Sequence, residues 1–385
     1  MPSLSPRLAV NLVFSAFGVI GGVWAGSIPA IVKRIGLGEQ DWGSVLTIIV
    51  LFNVGAFVLG GRLARFVSGR RMMMISLPVA AVMLSLAFAS TSFALFLPAA
   101  LAFTVSHGIV DIFMNAEGAA VESDQQRPLL TGMHATVSLT VAVCALLGSL
   151  ISVTYGPPAT TPLLLAAGIA GAWVVWRGIP ERPIIRSERA AMASSAIFSP
   201  WLLLLGLAAG LGTGGELVAF FWSAKLLDTE APQLAAIAGI GTAFLCGCAG
   251  LVRLFGDRVR AMFGDRNVVI GALAVSALGM IGVGVTSGFV PHVLFFAVIG
   301  VGTAYLVPCL FAIAANSDPT ARASRIGLMQ LIGGPARVGS PYVFGWIAQQ
   351  SSASVAFGMF SIAMVASAGL FVASQAMMER KAVVA

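Results

Sequence analysis

The chain has 385 residues, of which 58% are hydrophobic and only 10% charged, with a mean hydropathy of +0.96. Soluble domains carry about 25% charged residues, so this composition excludes an ordinary soluble enzyme or binding module and points to an integral membrane protein. The net charge of +7 would call for an acidic or nucleic-acid partner in a soluble protein; the placement of the arginines gives a different reason.

Twelve apolar segments are long enough to span a hydrocarbon layer of about 30 Å. They cover 8–32, 42–61, 72–90, 94–121, 128–153, 161–179, 199–226, 233–255, 267–288, 291–316, 326–348 and 353–378. The first is too long for a signal-peptide core and has no cleavage site, so a retained helix is expected. No segment shows the alternating pattern of an outer-membrane barrel strand, so the expected fold class is an all-α membrane protein of twelve transmembrane helices. Arg7, Arg62, Arg65, Arg70, Arg71, Arg177, Arg253, Arg258 and Arg380 fall on one side, while the other holds only Lys33, Arg34 and Lys225. The positive-inside rule then puts both termini in the cytoplasm and accounts for the high pI without nucleic acid. The cysteines 144, 246, 248 and 309 all lie in apolar segments and read as packing residues. No phosphate loop, HExxH or metal-spaced Cys/His cluster occurs, so neither cofactor nor metal is expected.

The longest polar interruption, residues 178–195, divides the chain into an expected six-helix bundle over 1–179, a cytoplasmic linker over 180–198 and a second bundle over 199–385. Around it the halves repeat. The stretch Gly61 to Arg71 follows helix 2, and Gly256 to Arg266 follows helix 8. Glycines recur at the first and ninth positions and arginines at the fifth and eleventh, at a constant offset of 195 residues. Two halves related by internal repetition is an organisation of secondary transporters.

The strongest functional signal runs from His107 to Ser138. His107, Asp111, Asn115, Gly118 and Glu122 fall within a stripe about 80° wide on one face of helix 4. Thr131, His134 and Ser138 make a comparable face on helix 5. An aspartate deep in such a helix costs roughly 2.5–3.5 kcal/mol to insert, so the stripe should meet a partner, water or a solute. With a rise of about 1.5 Å per residue, Asp111 lies about 15 Å and His134 about 9 Å from their helix ends, within side-chain reach of each other. Glu117 lies off the stripe and receives no role. Elsewhere, Glu216 follows Gly206, Gly210, Gly212, Gly214 and Gly215 in helix 7, a run that favours unwinding or close backbone approach. Arg337 sits mid-helix 11, as partner of Glu216 or of a solute, and Tyr305 shares a face of helix 10 with Cys309 and Asn316. Asn11, Ser15, Gly18 and Gly22 share one of helix 1, where the glycines read first as packing contacts.

Gly61 to Arg71 resembles the loop motif of the major facilitator superfamily, a glycine, an acidic position and a basic cluster between helices 2 and 3. It departs from that pattern in having Arg65 at the acidic position and one more residue before Gly69. Asp257 is present in the second half, directly after its glycine. Asp111-Ile112-Phe113-Met114-Asn115, Val121-Glu122, Met133-His134 and Ser138 are more specifically similar to a fucose-permease-related branch that includes rhizopine-associated membrane proteins.

The resemblance implies two six-helix bundles, with helices 1, 4, 7 and 10 lining a path for a small-molecule substrate. It also implies a monomer in the bacterial inner membrane and a sugar-, polyol- or amino-sugar-like solute. The expected sites are proton coupling at Asp111, His107 and His134, and substrate binding at Asn115, Glu216, Tyr305 and Arg337. A cytoplasmic gate is expected at Gly61, Arg65, Arg70, Arg71, Glu122 and Asp257. Protons and the lipid bilayer are the other expected partners. The alternatives are a proton-driven efflux pump, a transporter-like solute sensor and, least favoured, an intramembrane enzyme, for which no nucleophile–base pair is visible.

Overall fold

A computed structural model describes residues 4–126, 129–182, 199–317 and 322–384. The described residues form helices and short connections with no strand. The helices are α1 (Pro6–Ile35), α2 (Glu39–Leu63), α3 (Gly69–Ala89), α4 (Phe93–Gln125), α5 (Leu130–Tyr155), α6 (Thr161–Gly178) and α7 (Pro200–Glu230). They continue with α8 (Ile240–Arg253), α9 (Gly256–Val285), α10 (Phe289–Thr303), α11 (Leu306–Asn316), α12 (Arg322–Gln350) and α13 (Ala353–Val384). Each is ended by local chemistry. Ser5 and Ser68 accept the N–H groups of Leu8 and Arg71 at the starts of α1 and α3. Gly36, at φ 72°, closes α1 in the left-handed conformation that lets its N–H reach the Lys33 carbonyl.

Among the described residues, eleven helical spans are long and apolar enough to cross a membrane. The twelfth expected crossing is α12, which has the length, 29 residues, but carries Arg325, Gln330 and Arg337. The expected helix 10 is two pieces, α10 and α11, with a break at Ala304 and Tyr305. Pro308 explains it: its ring collides with the carbonyl four residues earlier and it offers no N–H. The stretch after α8, expected as a loop, is helical. Residues 256–263 are a helical lead-in joined to the rest of α9 at Gly264, whose φ of 74° and ψ of 150° suit only glycine.

The chain forms two compact units. One comprises Met1–Gly38, Ile48–Ser187 and Ser223–Leu254; the other Glu39–Thr47, Glu188–Trp222 and Phe255–Ala385. In the first, α1 packs along α5 and against α4 and α6, α3 lies on α4 and α6, and α8 lies on α5. Backbone approaches closely there. A Cβ at Gly22 would stand 2.7 Å from the Val141 carbonyl oxygen, one at Gly148 2.9 Å from Val23 Cα, and one at Gly26 would overlap the Ala145 carbonyl. The helix 1 glycines are thus packing contacts, since only small residues let two helices touch in lipid.

In the second unit, α9 packs on α10 and α13, and α12 on α11 and α13. Of the two outcomes open to the glycines of helix 7, close approach is the one found. The helix is continuous, and a Cβ at Gly210 would stand 2.7 Å from Gly333 Cα on α12.

Gly26→Val is expected to destabilise the protein by about 2 kcal/mol through overpacking against α5. Gly55→Val, where nothing lies within 4 Å, should leave the thermal melt unchanged. Equal melts for the two variants would overturn the packing account.

Candidate functional site

In the first unit, the helix 4 stripe lies where α1 meets α4 and α5. The Asn115 amide donates to the Asp111 carboxylate at 2.8 Å and to the Asp111 carbonyl at 2.8 Å, so these two residues form one polar unit. The His107 ring stacks on Phe17 of α1, with centroids 3.7 Å apart, and its Nε2 lies 3.3 Å from the Phe17 carbonyl. His134 meets the edge of Phe14 at 5.5 Å. Both histidines are therefore seated on α1, one turn apart along that helix. Their described contacts include no hydrogen bond from His134 to Asp111.

One turn beyond His134, the Ser138 hydroxyl accepts a hydrogen bond of 2.6 Å from the Arg253 guanidinium of α8. Asn11 accepts from Thr136 at 3.4 Å. Arg253 is a residue that sequence reasoning placed at a loop edge. The available signal was its position inside the apolar stretch 233–255, not beyond it.

In the second unit, α7 and α12 bring Glu216 and Arg337 onto neighbouring helices. The Ser340 hydroxyl, one turn from Arg337, donates to the Gly214 carbonyl at 3.3 Å. No ion pair joins Arg337 to Glu216 among the described residues, and Arg337 Nε is buried without a hydrogen-bond partner. Tyr305 stands at the break between α10 and α11, 9% exposed, beside α9 residues Asn267, Val268, Gly271 and Ala272.

The arginine-rich ends carry a clamp. The Ser68 hydroxyl donates to Glu181 at 2.6 Å, and Arg70 and Arg71 approach the same carboxylate at 3.4 Å. Arg70 also donates to the Trp176 carbonyl at 2.6 Å. Arg182 donates to both oxygens of Glu117, at 2.9 and 3.1 Å, and to Asp124 at 2.9 Å. Glu117, only 8% exposed, thereby acquires the role that the sequence did not supply. It anchors the chain after α6 onto α4. Glu122 accepts the N–H groups of Leu129 and Leu130 at 2.7 and 2.8 Å and so caps the start of α5. Gly61 has no neighbour within 4 Å of a Cβ position, and Arg65 is exposed. The side chain of Asp257 lies outside the described residues, as do residues 183–198 of the expected linker.

Glu181 lies beyond the end of α6. The Ser68 hydroxyl first, then Arg71 and Arg70, hold its carboxyl below its ordinary value of 4.5, against a smaller opposing effect of burial. A depressed carboxylate contributes stability that is fully present above the ordinary value and is lost as pH falls through the lowered one. Glu181→Gln should thus melt below wild type near neutral pH, with the gap closing on acidification to about pH 3. A gap independent of pH would show that the clamp does not act through this charge.

No protein-family model matches the chain. It is 27% identical over 372 residues to an uncharacterised MFS-type transporter of Yersinia pestis, covering 94% of each chain. An uncharacterised transporter of Sinorhizobium fredii is 26% identical over 368 residues, covering 93% of this chain and 96% of that one. The membrane protein MosC of Rhizobium meliloti is 24% identical over 343 residues, 89% of this chain and 83% of MosC. Among solved structures, a variant of the nucleoside transporter NupG superposes with a TM-score of 0.79 at 14% identity, over 96% of this chain and all of that one. A bacterial homolog of the lysosomal transporter Spinster gives 0.65 at 13% identity, over 98% of this chain and 97% of that one. With that fold and with similarity to an MFS-type transporter along nearly its full length, this multi-pass membrane protein resembles the transporters of the major facilitator superfamily.

Proposed function

We propose that the chain is a secondary active transporter that moves a small, oxygen-rich solute, sugar-, polyol- or amino-sugar-like, by alternating access coupled to protons. The observation that carries this reading is Arg337: a guanidinium in the middle of α12, without an ion pair among the described residues, and with Nε buried and unbonded. A charge held at membrane depth costs several kcal/mol unless something compensates it. A fixed structural partner would have appeared as an ion pair. What remains is water between turnovers and solute oxygens during them. The planar fork of a guanidinium matches paired hydroxyl or carboxylate oxygens, which favours a polar solute over the amphipathic cargo of an efflux pump.

Asp111, held by Asn115, is the proposed proton carrier, and the two histidines on α1 are proposed to sense its state. Glu216, Tyr305 and Asn115 are the further proposed solute contacts, with Gly61, Arg65, Arg70, Arg71, Glu122 and Asp257 at a cytoplasmic gate. The charge bias supports cytoplasmic termini, and the relatives support a bacterial membrane. No catalytic step is part of this reading.

Arg337→Lys keeps the charge and removes the fork. Binding of the solute, found by thermal-shift screening against sugars, polyols, amino sugars and nucleosides, should fall by about tenfold or more in that variant. Unchanged affinity would rule out the bidentate role.

Asp111→Asn should abolish proton-driven accumulation in vesicles while leaving binding and counterflow exchange measurable. If that variant still concentrates solute under a proton gradient, coupling lies elsewhere and Glu216 becomes the next candidate.

A further inference from the structure

Between α9 and α10 runs an apolar groove of about 270 Å³, lined by Val259, Phe263, Val268, Gly271, Val275 and Val301, with Tyr305 among its other walls. Its shape follows from two glycines. A Cβ at Gly302 would overlap the Ser276 hydroxyl, so α10 can lie close on α9 at that level. Gly271 has nothing within 4 Å of its Cβ position, and there the wall is left open. The helical lead-in 256–263 ends in Met262 and Phe263, 74% and 58% exposed. Gly264 turns the chain from this lead-in into α9, and Arg260 staples the turn through Asp265 at 2.7 Å.

A charge adjoins this groove along the lead-in helix. Arg258, next to the lining residue Val259, is exposed and makes no ion pair among the described residues. Asn267 adds a polar group to the lining. An exposed cation one residue from an apolar slot, on the same short helix as the exposed Met262 and Phe263, is the complement of a molecule with an anionic head and a hydrocarbon tail. We propose that this groove seats one acyl chain of an anionic phospholipid of the surrounding bilayer, whose headgroup is held at Arg258. The chain in the slot then lies against Tyr305, at the break between α10 and α11, and braces that break from outside. The groove shares Tyr305 with the proposed solute contacts, but lipid binding in it does not depend on the proposed transport reading.

The purified full chain tests this without any solute. Phosphatidylglycerol and phosphatidylcholine with identical acyl chains are titrated into the detergent-solubilised protein, reading the melting temperature and, by native mass spectrometry, the number of retained lipids. Phosphatidylglycerol should stabilise saturably and more strongly than phosphatidylcholine. Arg258→Gln should weaken the phosphatidylglycerol affinity by about fivefold, the effect of one arginine on an anionic lipid. Gly271→Leu fills the open part of the slot without a clash and should lose the saturable shift altogether while its lipid-free melt stays at or above that of wild type. If that variant is not recovered folded, Val301→Phe, which fills the groove from α10, carries the same expectation. Equal stabilisation by both lipids, or a full phosphatidylglycerol response in the filled variant, would overturn the proposal.

Discussion

The contact on which the first unit depends is the backbone approach of α1 to α5 at Gly22 and Gly26. In lipid there is no hydrophobic gain from bringing two apolar helices together, so cohesion comes from packing, and packing needs small residues where the helices touch. With Gly22 and Gly26 against Val141 and Ala145, and Gly148 against Val23, the two helices lock in a single register. That register decides where the aromatic rings of α1 fall. Phe17 is carried onto His107 of α4 and Phe14 onto His134 of α5. A polar stripe that would otherwise be a list of residues becomes a set of side chains with fixed neighbours. The glycines of α7 do the equivalent against α12, and through Gly214 and Ser340 they settle how Glu216 and Arg337 are presented.

The charges sort themselves by whether the fold gives them a partner. Glu117 and Asp228 are both nearly buried, 8% and 3% exposed, and each has a basic residue within hydrogen-bond distance, Arg182 and Lys33 respectively. Removing either base would strand a carboxylate in a poorly solvated place, which identifies these pairs as structure. Arg337 has no such partner among the described residues.

Much of the architecture was legible because lipid restricts the choices so severely. A backbone that cannot bond to water must be helical, and hydropathy alone then locates the crossings. Even the break in helix 10 was written in the chain, as Pro308, though a reading by hydropathy passed over it. Pairings between segments far apart were not legible. Glu117 and Arg182 are separated by 65 positions, and nothing in their spacing shows that the chain after α6 returns over α4. Nor did anything in the spacing show that the Tyr305 ring would stand beside α9. Arg253 was counted only toward the charge bias, and nothing in the spacing showed that it would reach Ser138, 115 positions away.

The arginine-rich and arginine-poor helix ends are secured by different kinds of contact. At the arginine-rich end, Ser68, Arg70 and Arg71 converge on Glu181 while Glu117 and Asp124 converge on Arg182. Adjacent residues of one segment thus tie α3 and α4 together through several charge-assisted bonds, and no single rupture frees them. At the arginine-poor end, the contacts are of another kind. Lys33 at the end of α1 reaches Asp228 of α7 at 2.7 Å, and the Trp222 indole donates to Glu39 of α2 at 3.0 Å. Lys33 is 62% exposed but Asp228 only 3%, so breaking the pair would leave a poorly solvated carboxylate without its base. Neither kind of contact parts cheaply: α3, α4 and the segment after α6 are tied as one body through Glu181 and Arg182, while parting α1 from α7 must supply Asp228 with another donor.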